Sequence, residues 1–189
     1  MSTVEIACVE SPVGPLLLAA EDGALVALSF AESVSQVRGW VERHFGPSTF
    51  VSSANPAGAV RALERYWAGE LDALSLVPVR LQGTGFQVRV WETLRRIPSG
   101  ATWSYATLAR AVGAPTALRA VGAANGQNPV AIIVPCHRVI GSDGTLTGYG
   151  GGLARKAWLL AHEGVLEPEL PLQAPEPSPA GREEAVAQL

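Results

Sequence analysis

The chain has 189 residues, of which 48% are apolar and 16% charged, and a formal net charge of −3 at pH 7. That length suits one ordinary domain or two small ones, and the apolar content is enough for a real core, which excludes a largely unstructured chain. The first residues lack a basic segment followed by an apolar one, and no stretch approaches the ~18 continuous apolar residues of a membrane span. We therefore expect a cytoplasmic protein whose two cysteines, Cys8 and Cys136, are free thiols.

The basic residues concentrate in the middle of the chain. Residues 83–165 contain eight Lys and Arg residues against three acidic ones, whereas residues 1–82 contain five Arg residues against nine acidic ones. A basic segment in a mildly acidic protein is typical of a surface that binds a polyanion, although an ordinary solvated basic face has the same composition. The charge pattern alone leaves both interpretations open.

The first 82 residues are predicted to form a small α+β domain. Two apolar runs flank Asp22-Gly23, which indicates an antiparallel hairpin because Gly tolerates the positive φ of a tight turn. The segments "SVSQVRGWVERHFG" and "PAGAVRALERYWAGE" have apolar residues at helical spacing, with Val60, Leu63 and Trp67 on the predicted buried face of the second. The run "LSLVPVRL" then predicts a further strand.

Residues 83–165 have a different, mainly helical pattern. The segment "TGFQVRVWETLRRIPSG" predicts a helix, and "SYATLARAV" and "TALRAVGAANGQ" predict two short helices capped by Ser104 and Thr116 and joined by a Gly-containing turn. That pair is typical of a helix-turn-helix. "GGLARKAWLLAHEG" predicts a closing amphipathic helix whose buried face includes Leu153, and residues 166–189, rich in Pro and Glu, are expected to be disordered.

The stretch "AIIVPCHRVIG" places Cys136, His137 and Arg138 in succession after an apolar run that resembles a buried strand. A thiol is nucleophilic only as thiolate, so a reactive cysteine needs a base or a cationic neighbour that lowers its pKa from ~8.5. His137 could act as that base through a water, and Glu163, on an otherwise apolar helix, is the carboxylate available to orient it. Cys136 could equally be a buried residue at a strand end, and both interpretations stay open at this point.

Four motifs in chain order give a closer resemblance. The segments "FQVRVWETLRRIPSGATWSYATLA", "RAVGAANGQNP", "NPVAIIVPCHRVIG" and "LTGYGGGLARKAWLLAHEG" closely resemble the O6-alkylguanine-DNA alkyltransferases, and "SPVG" matches the amino-terminal domain more loosely. The resemblance implies an α+β fold in which an amino-terminal domain with a ribonuclease H-like sheet precedes a winged helix-turn-helix domain. We expect the domains at residues 1–82 and 83–165, followed by the tail at 166–189.

The resemblance also implies roles for individual residues. Cys136 corresponds to the alkyl acceptor, His137 to the base that reaches it through water, and Glu163 to the carboxylate that holds His137. Asn128 corresponds to a hinge asparagine that holds the backbone before the active site. Tyr105 corresponds to the tyrosine that drives base rotation, contacts DNA and hydrogen-bonds the flipped purine.

The remaining site residues are expected at the DNA and in the alkyl pocket. Arg119 resembles an arginine finger that enters the duplex where the damaged nucleotide leaves, on a thin helix that reaches DNA through Thr116, Ala120 and Ala123. The pocket is expected to be lined by five residues: Pro135, Val139, Tyr149, Gly150 and Lys156. Some relatives have serine near the guanine oxygen, at the position of Gly150 in this chain. Because glycine has no side-chain donor, only a backbone N–H could donate to that oxygen here.

The implied activity is irreversible transfer of the alkyl group from O6-alkylguanine, and from O4-alkylthymine, to Cys136 in a single turnover. The implied partner is double-stranded DNA, bound by a monomer through the minor groove with little sequence specificity. No cofactor is implied, and Cys8 and His44 are too few for a zinc site in the amino-terminal domain. A non-enzymatic lesion-binding protein, a thiol hydrolase and a plain helix-turn-helix regulator are the alternatives.

Overall fold

The computed structural model describes residues 2–30 and 34–167. Within them the chain divides between Gln82 and Gly83 into two compact units. The predicted disordered tail, apart from its first two residues, lies outside the described residues. No helix in the described part is long and apolar enough to cross a membrane.

The amino-terminal unit is built on a four-stranded sheet with the order β3-β2-β1-β4. Its strands are β1 (Ser2–Val9), β2 (Leu16–Glu21), β3 (Ala24–Phe30) and β4 (Ser48–Ser52). Strand β2 is antiparallel to β1 and β3, whereas β4 is parallel to β1. The predicted hairpin is confirmed, since Asp22 and Gly23 have φ of 51° and 74°, the positive values of a two-residue turn that matches the strand twist. Strands β1 and β4 were not predicted.

The described residues of this unit also form two α-helices, α1 (Val34–Phe45) and α2 (Ala59–Trp67). The valines of α1 pack against one face of the sheet, as their spacing predicts. The predicted face of α2 is wrong in part, because Val60 and Trp67 are only half-buried. Leu63 is buried with Tyr66, whose large ring is fully enclosed and fixes the rotation of the helix.

The predicted strand over "LSLVPVRL" is wrong. Residues Leu71–Leu76 form a 3-10 helix, and only Val79 then bridges the sheet, opposite Leu25. The Leu25 N–H donates to the Pro78 carbonyl at 2.8 Å, and the Arg80 N–H donates back to the Leu25 carbonyl at 2.9 Å. Since proline has no N–H to donate to a ladder, the pairing stays this short.

The described part of the carboxy-terminal unit contains four α-helices, α3 (Gly85–Leu94), α4 (Tyr105–Ala111), α5 (Leu118–Gly126) and α6 (Leu153–His162). Ser104 caps α4 as predicted, accepting a hydrogen bond from the Thr107 N–H at 3.1 Å. The predicted cap of α5 is wrong, because its N-cap is Ala117, without a side-chain bond, and Thr116 lies exposed in the preceding turn. The helix begins one residue too late for the Thr116 hydroxyl to cap it.

The segment before Cys136 is a turn, not the buried strand that its apolar letters indicate. Residues 131–134 turn back on themselves, with a left-handed Ile132 at φ 68° and the Val134 N–H donating to the Val130 carbonyl at 2.9 Å. Cys136–Arg138 form a 3-10 turn, followed by β6 (Val139–Ile140), which pairs in parallel with β5 (Trp103–Ser104). Cys136 is therefore the first residue of a compact 3-10 turn.

The buried face of α6 also differs from the prediction. Leu153 is 48% exposed, whereas Arg155, Lys156, Leu159 and Leu160 are buried. The long aliphatic stems of the two basic residues therefore supply part of the packing that leucine and alanine were expected to supply. This rotation brings the Lys156 ammonium into the interior of the unit.

Candidate active site

Asn128 fixes the turn that presents Cys136. The Asn128 Nδ2 donates to the Val134 carbonyl at 2.7 Å and to the Cys136 Sγ at 3.1 Å, while its Oδ1 accepts from the Val130 N–H at 3.0 Å. One side chain thus joins both ends of the turn to the sulfur. Cys136 itself is only 6% exposed, so its surroundings are mainly protein.

The Cys136 thiol is protonated in this resting arrangement. Burial raises its pKa above the ordinary value, and the Asn128 hydrogen bond and the Lys156 charge oppose that effect only in part. Desolvation of the charged form thus outweighs the favourable neighbours of the sulfur. The sulfur can attack only if its proton is removed during the reaction.

His137 and Glu163 form a buried pair beside Cys136 in the sequence. The His137 Nε2 lies 3.0 Å from the Glu163 Oε1, and both side chains are fully buried. Burial lowers the pKa of His137, although the Glu163 hydrogen bond and charge raise it, so the imidazole is neutral near pH 7. With Nε2–H donating to the carboxylate, Nδ1 carries the lone pair, and Nδ1 is buried without a hydrogen-bond partner among residues 2–30 and 34–167.

Arg138 also belongs to this site, although the sequence predicted no role for it. Its Nε donates to the Glu163 Oε2 at 2.9 Å and its Nη2 to Oε1 at 2.8 Å, a two-point contact with one carboxylate. Its other donors reach the Ile97 carbonyl at 2.6 Å and the Ser99 hydroxyl at 2.9 Å. Although burial alone would raise the pKa of Glu163, hydrogen bonds from His137 and Arg138 hold it well below its usual range.

Lys156 lies inside the unit and holds two segments of the predicted pocket together. Its Nζ donates to the Val139 carbonyl and to the Thr147 carbonyl, both at 2.6 Å. Burial lowers its pKa to about 8, and the nearby Cys136 raises it in part. The ammonium therefore couples strand β6 to the loop that follows it and contributes a positive charge near the sulfur.

A charge on Cys136 raises the pKa of two phenols, those of Tyr105 and Tyr149. Burial is the larger cause of each rise, and it lifts the pKa of Tyr149 well above its usual value. The Tyr105 hydroxyl donates to the carbonyls of Thr147 and Gly148 at 3.4 and 3.3 Å. Both phenols are therefore neutral near pH 7.

The other predicted pocket and DNA residues differ in exposure. Pro135 and Val139 are buried on either side of the Cys136 turn, and Gly150 is exposed, where an added Cβ would make only an ordinary contact with the Gly126 carbonyl at 3.7 Å. Arg119, Ala120 and Ala123 are all exposed on α5, at spacings that put them on one helical face. Within the described residues, no group of three or more His, Cys, Asp and Glu could hold a metal ion.

Comparisons with known proteins show the family of the chain. Residues 6–81 match the family model for the ribonuclease-like domain of 6-O-methylguanine DNA methyltransferase, and residues 85–165 match the model for its DNA binding domain. A methylated-DNA--protein-cysteine methyltransferase of Shigella flexneri is 45% identical over 161 residues, which is 84% of this chain and 94% of the relative. One of Mycolicibacterium paratuberculosis is 49% identical over 162 residues, 85% and 92% of the two chains.

Solved structures give the same result. The structure of Mycobacterium tuberculosis OGT in complex with DNA has a TM-score of 0.72 and 43% identity, and the match covers 90% of this chain and 98% of that one. The O6-methylguanine-DNA methyltransferase of Pyrococcus kodakaraensis has a TM-score of 0.64 and 26% identity over 86% and 99%. The predicted α+β class, a sheet domain followed by a helical one, is confirmed. The chain belongs to the 6-O-methylguanine DNA methyltransferase family.

Proposed function

We propose that the protein repairs alkylated DNA by moving the alkyl group from the O6 atom of guanine, or the O4 atom of thymine, irreversibly to the Cys136 sulfur. The observation that carries the proposal is the buried Cys136 thiol, hydrogen-bonded by Asn128 at 3.1 Å, within a chain of this family. Asn128 keeps the sulfur in one orientation, which serves a reaction that depends on alignment with a single carbon atom.

His137 removes the thiol proton as the sulfur attacks. The neutral imidazole accepts it at Nδ1 through a bridging water, and Glu163, whose low pKa keeps it ionised, stabilises the imidazolium through Nε2–H at 3.0 Å. Arg138 donates to both oxygens of the Glu163 carboxylate and so fixes its position. The fixed carboxylate in turn keeps the His137 imidazole in one orientation. Because the Cys136 thiol stays protonated until His137 removes its proton, it does not react with other electrophiles in the resting protein.

The transfer breaks the bond between the alkyl carbon and the guanine O6 and forms a carbon–sulfur bond. The electron pair of the broken bond goes to the purine, which gains a proton and is thereby restored to ordinary guanine within the DNA strand. Tyr105, through its hydroxyl, and the backbone N–H of Gly150 are the groups we assign as hydrogen-bond donors to the departing base. A thioether has no easy route back to thiol, so each molecule acts once and needs no cofactor.

The lesion lies inside a stacked duplex, so the base must leave the stack at a cost of a few kcal/mol. We assign Arg119 to the space that the base vacates, with Thr116, Ala120 and Ala123 against the minor groove, where sequence readout is degenerate. The low sequence specificity that follows suits a protein that must find damage anywhere. One Cys136 is consumed per lesion, so a monomer is sufficient for repair. Because the substrate is genomic DNA, we expect the protein in the cytoplasm, associated with nucleoid DNA.

Stoichiometry tests the proposal against its nearest alternatives. Duplex DNA that carries one labelled O6-methylguanine is incubated with limiting protein, and label in protein and in solution is counted. We expect one label on the protein per molecule and no further release. Label in solution beyond one equivalent would indicate a thiol hydrolase, and binding without any transfer would indicate a lesion-binding protein.

A separate comparison tests the Arg119 assignment. Arg119→Ala is expected to slow transfer from duplex DNA more than transfer from single-stranded DNA, where the vacated space does not need to be filled. Arg110→Ala, on the neighbouring helix α4, is the control for loss of one exposed positive charge. Equal slowing on both substrates would contradict the finger role.

A further inference from the structure

Asn125 lies at the active site but has no role in the reaction as described so far. It is in the last turn of α5 and 2% exposed, and its Nδ2 is 3.5 Å from the Cys136 carbonyl oxygen, at the limit of a hydrogen bond. Its Oδ1 is buried and has no hydrogen-bond partner in the described part of the chain. Native proteins rarely leave a buried amide acceptor unused, because the lost hydration destabilises the fold. Stability alone therefore does not account for an asparagine at this position.

The neighbour that gives Asn125 a function is Tyr105. The Tyr105 ring packs against α5 at Gly122, where an added Cβ would lie 3.8 Å from the ring. Gly122 and Asn125 are three residues apart and so share one face of the helix. Burial raises the pKa of the Tyr105 phenol, and Thr147 and the Asn125 amide oppose that rise. The Tyr105 ring therefore packs on the face of α5 that carries the Asn125 amide.

We propose that Asn125 is a positioning residue for Tyr105: its amide N–H donates to the phenol oxygen and so directs the phenol O–H toward the departing purine. This inference rests on the proposed alkyl transfer. The phenol has one proton, and an oxygen that already accepts from Asn125 presents that proton on its opposite side. There it meets the carbonyls of Thr147 and Gly148 at 3.4 and 3.3 Å. Such long bonds are weak, so a ring nitrogen of the extruded base can replace them at little cost.

A purely structural role for Asn125 makes the opposite prediction for stability. If the amide mainly tied α5 to the Cys136 turn, its loss would destabilise the unit. Asn125→Leu has a similar size and no polar atoms, so it also removes the unpartnered Oδ1. We therefore expect the variant to keep or exceed the wild-type melting temperature while it transfers the alkyl group more slowly.

A double-mutant cycle with Tyr105→Phe tests the proposal. Single-turnover transfer from duplex DNA with one labelled O6-methylguanine is followed to completion at excess protein. Asn125→Leu is expected to slow transfer by about tenfold in the Tyr105 protein, the rate equivalent of one hydrogen bond, and by less than about twofold in the Tyr105→Phe background. Asn55→Leu, which removes an amide that accepts from the Arg61 N–H at 3.2 Å in the other unit, is the control and should lower stability without slowing transfer.

Two outcomes would overturn the positioning role. One is equal slowing by Asn125→Leu with and without the Tyr105 hydroxyl, and the other is a wild-type rate in Asn125→Leu. Failure of the proposed function looks different, because wild-type protein would then carry no label on Cys136. If wild-type protein transfers the label normally and Asn125→Leu slows transfer equally in the Tyr105 and Tyr105→Phe proteins, only the role of Asn125 is rejected.

Discussion

The two cysteines of the chain lie in different chemical surroundings, one in each unit. Cys8 is half-buried on β1 against the apolar core, and burial and then Glu10 raise the pKa of its thiol. Burial also raises the pKa of Cys136, but Asn128 donates to its sulfur and Lys156 supplies a nearby positive charge. Both thiols are therefore protonated at rest. What distinguishes Cys136 is the set of neighbours that can accept its proton and stabilise the resulting charge.

Two ion pairs, one from each unit, differ in the same way. In the amino-terminal unit the Arg65–Glu70 pair has side chains more than half exposed, at 54% and 57%. In the carboxy-terminal unit Glu163 is buried with Arg138 and His137. An exposed pair contributes little, whereas burial of charges costs free energy that their attraction only partly returns. Buried charge beside Cys136 is therefore best explained by chemistry, and substitutions at these groups distinguish that explanation from a structural one.

The largest expected effect is that of Glu163→Gln. A neutral amide cannot stabilise the imidazolium, so we expect transfer to slow by about 100-fold or more. The Arg138 guanidinium would also lose its buried anion, which should lower the free energy of unfolding by about 3 kcal/mol. Single-turnover rates and urea denaturation measure the two effects. The exposed counterpart Glu70→Gln should change neither, and similar results for the two variants would remove the distinction between the pairs.

Replacement of Lys156, the only lysine in the chain, should have an intermediate effect. In Lys156→Met the sulfur loses a positive charge and two carbonyls lose their donor, and we expect transfer about tenfold slower. Stability gives a second test. The pKa of Lys156 falls from 10.5 unfolded to about 8 folded, so between these pH values the unfolded state binds more protons and the wild-type free energy of unfolding should rise with pH.

The control for that second test is Lys156→Met itself, because it lacks the titrating group. The difference in free energy of unfolding between wild type and variant, measured by urea denaturation from pH 7 to 10, should move in favour of the wild type as pH rises. A difference that stays flat would show that the buried ammonium titrates as an ordinary lysine.

The smallest expected effect is a shift in the pH dependence of transfer. Burial lowers the pKa of His137 against the opposing influence of Glu163, and the base must be neutral to accept a proton. The single-turnover rate should therefore fall only at pH values below about 6.5, where an ordinary histidine is half protonated. Rates from pH 5 to 8 on labelled duplex DNA give the midpoint. A midpoint clearly above 6.5 would mean that Glu163 dominates over burial.

The sequence was sufficient for the fold class, the hairpin and most helices, because each has a local cause. The positive φ at Asp22 and Gly23 and the cap at Ser104 depend on neighbouring residues alone. The segment "LSLVPVRL" and the residues before Cys136 were predicted as strands because apolar letters do not distinguish a strand from a buried turn. In each case tertiary packing decides, through Pro78 in the first and the Asn128 contacts in the second.

For the site, resemblance supplied the list of residues but not their coupling. Arg138 directly follows His137, yet its two-point contact with Glu163 is made across 25 residues of sequence. Asn125 lies in helix α5, whose sequence is mostly Ala and Gly. Its burial beside Cys136 depends on where that helix ends. The raised pKa of the Cys136 thiol likewise depends on desolvation, which no spacing of residues expresses. Resemblance indicated the chemistry, whereas tertiary packing sets which groups carry a proton at rest.

The most direct test of the account is to locate the transferred group, since the chain offers two free thiols. Wild-type protein is reacted with duplex DNA carrying a methyl-labelled O6-methylguanine, digested, and mapped by peptide mass spectrometry. We expect one methyl group on Cys136 and none on Cys8. Cys8→Ser should transfer at the wild-type rate, and Cys136→Ala should bind the duplex without transfer. Label on Cys8, or transfer by Cys136→Ala, would contradict the account.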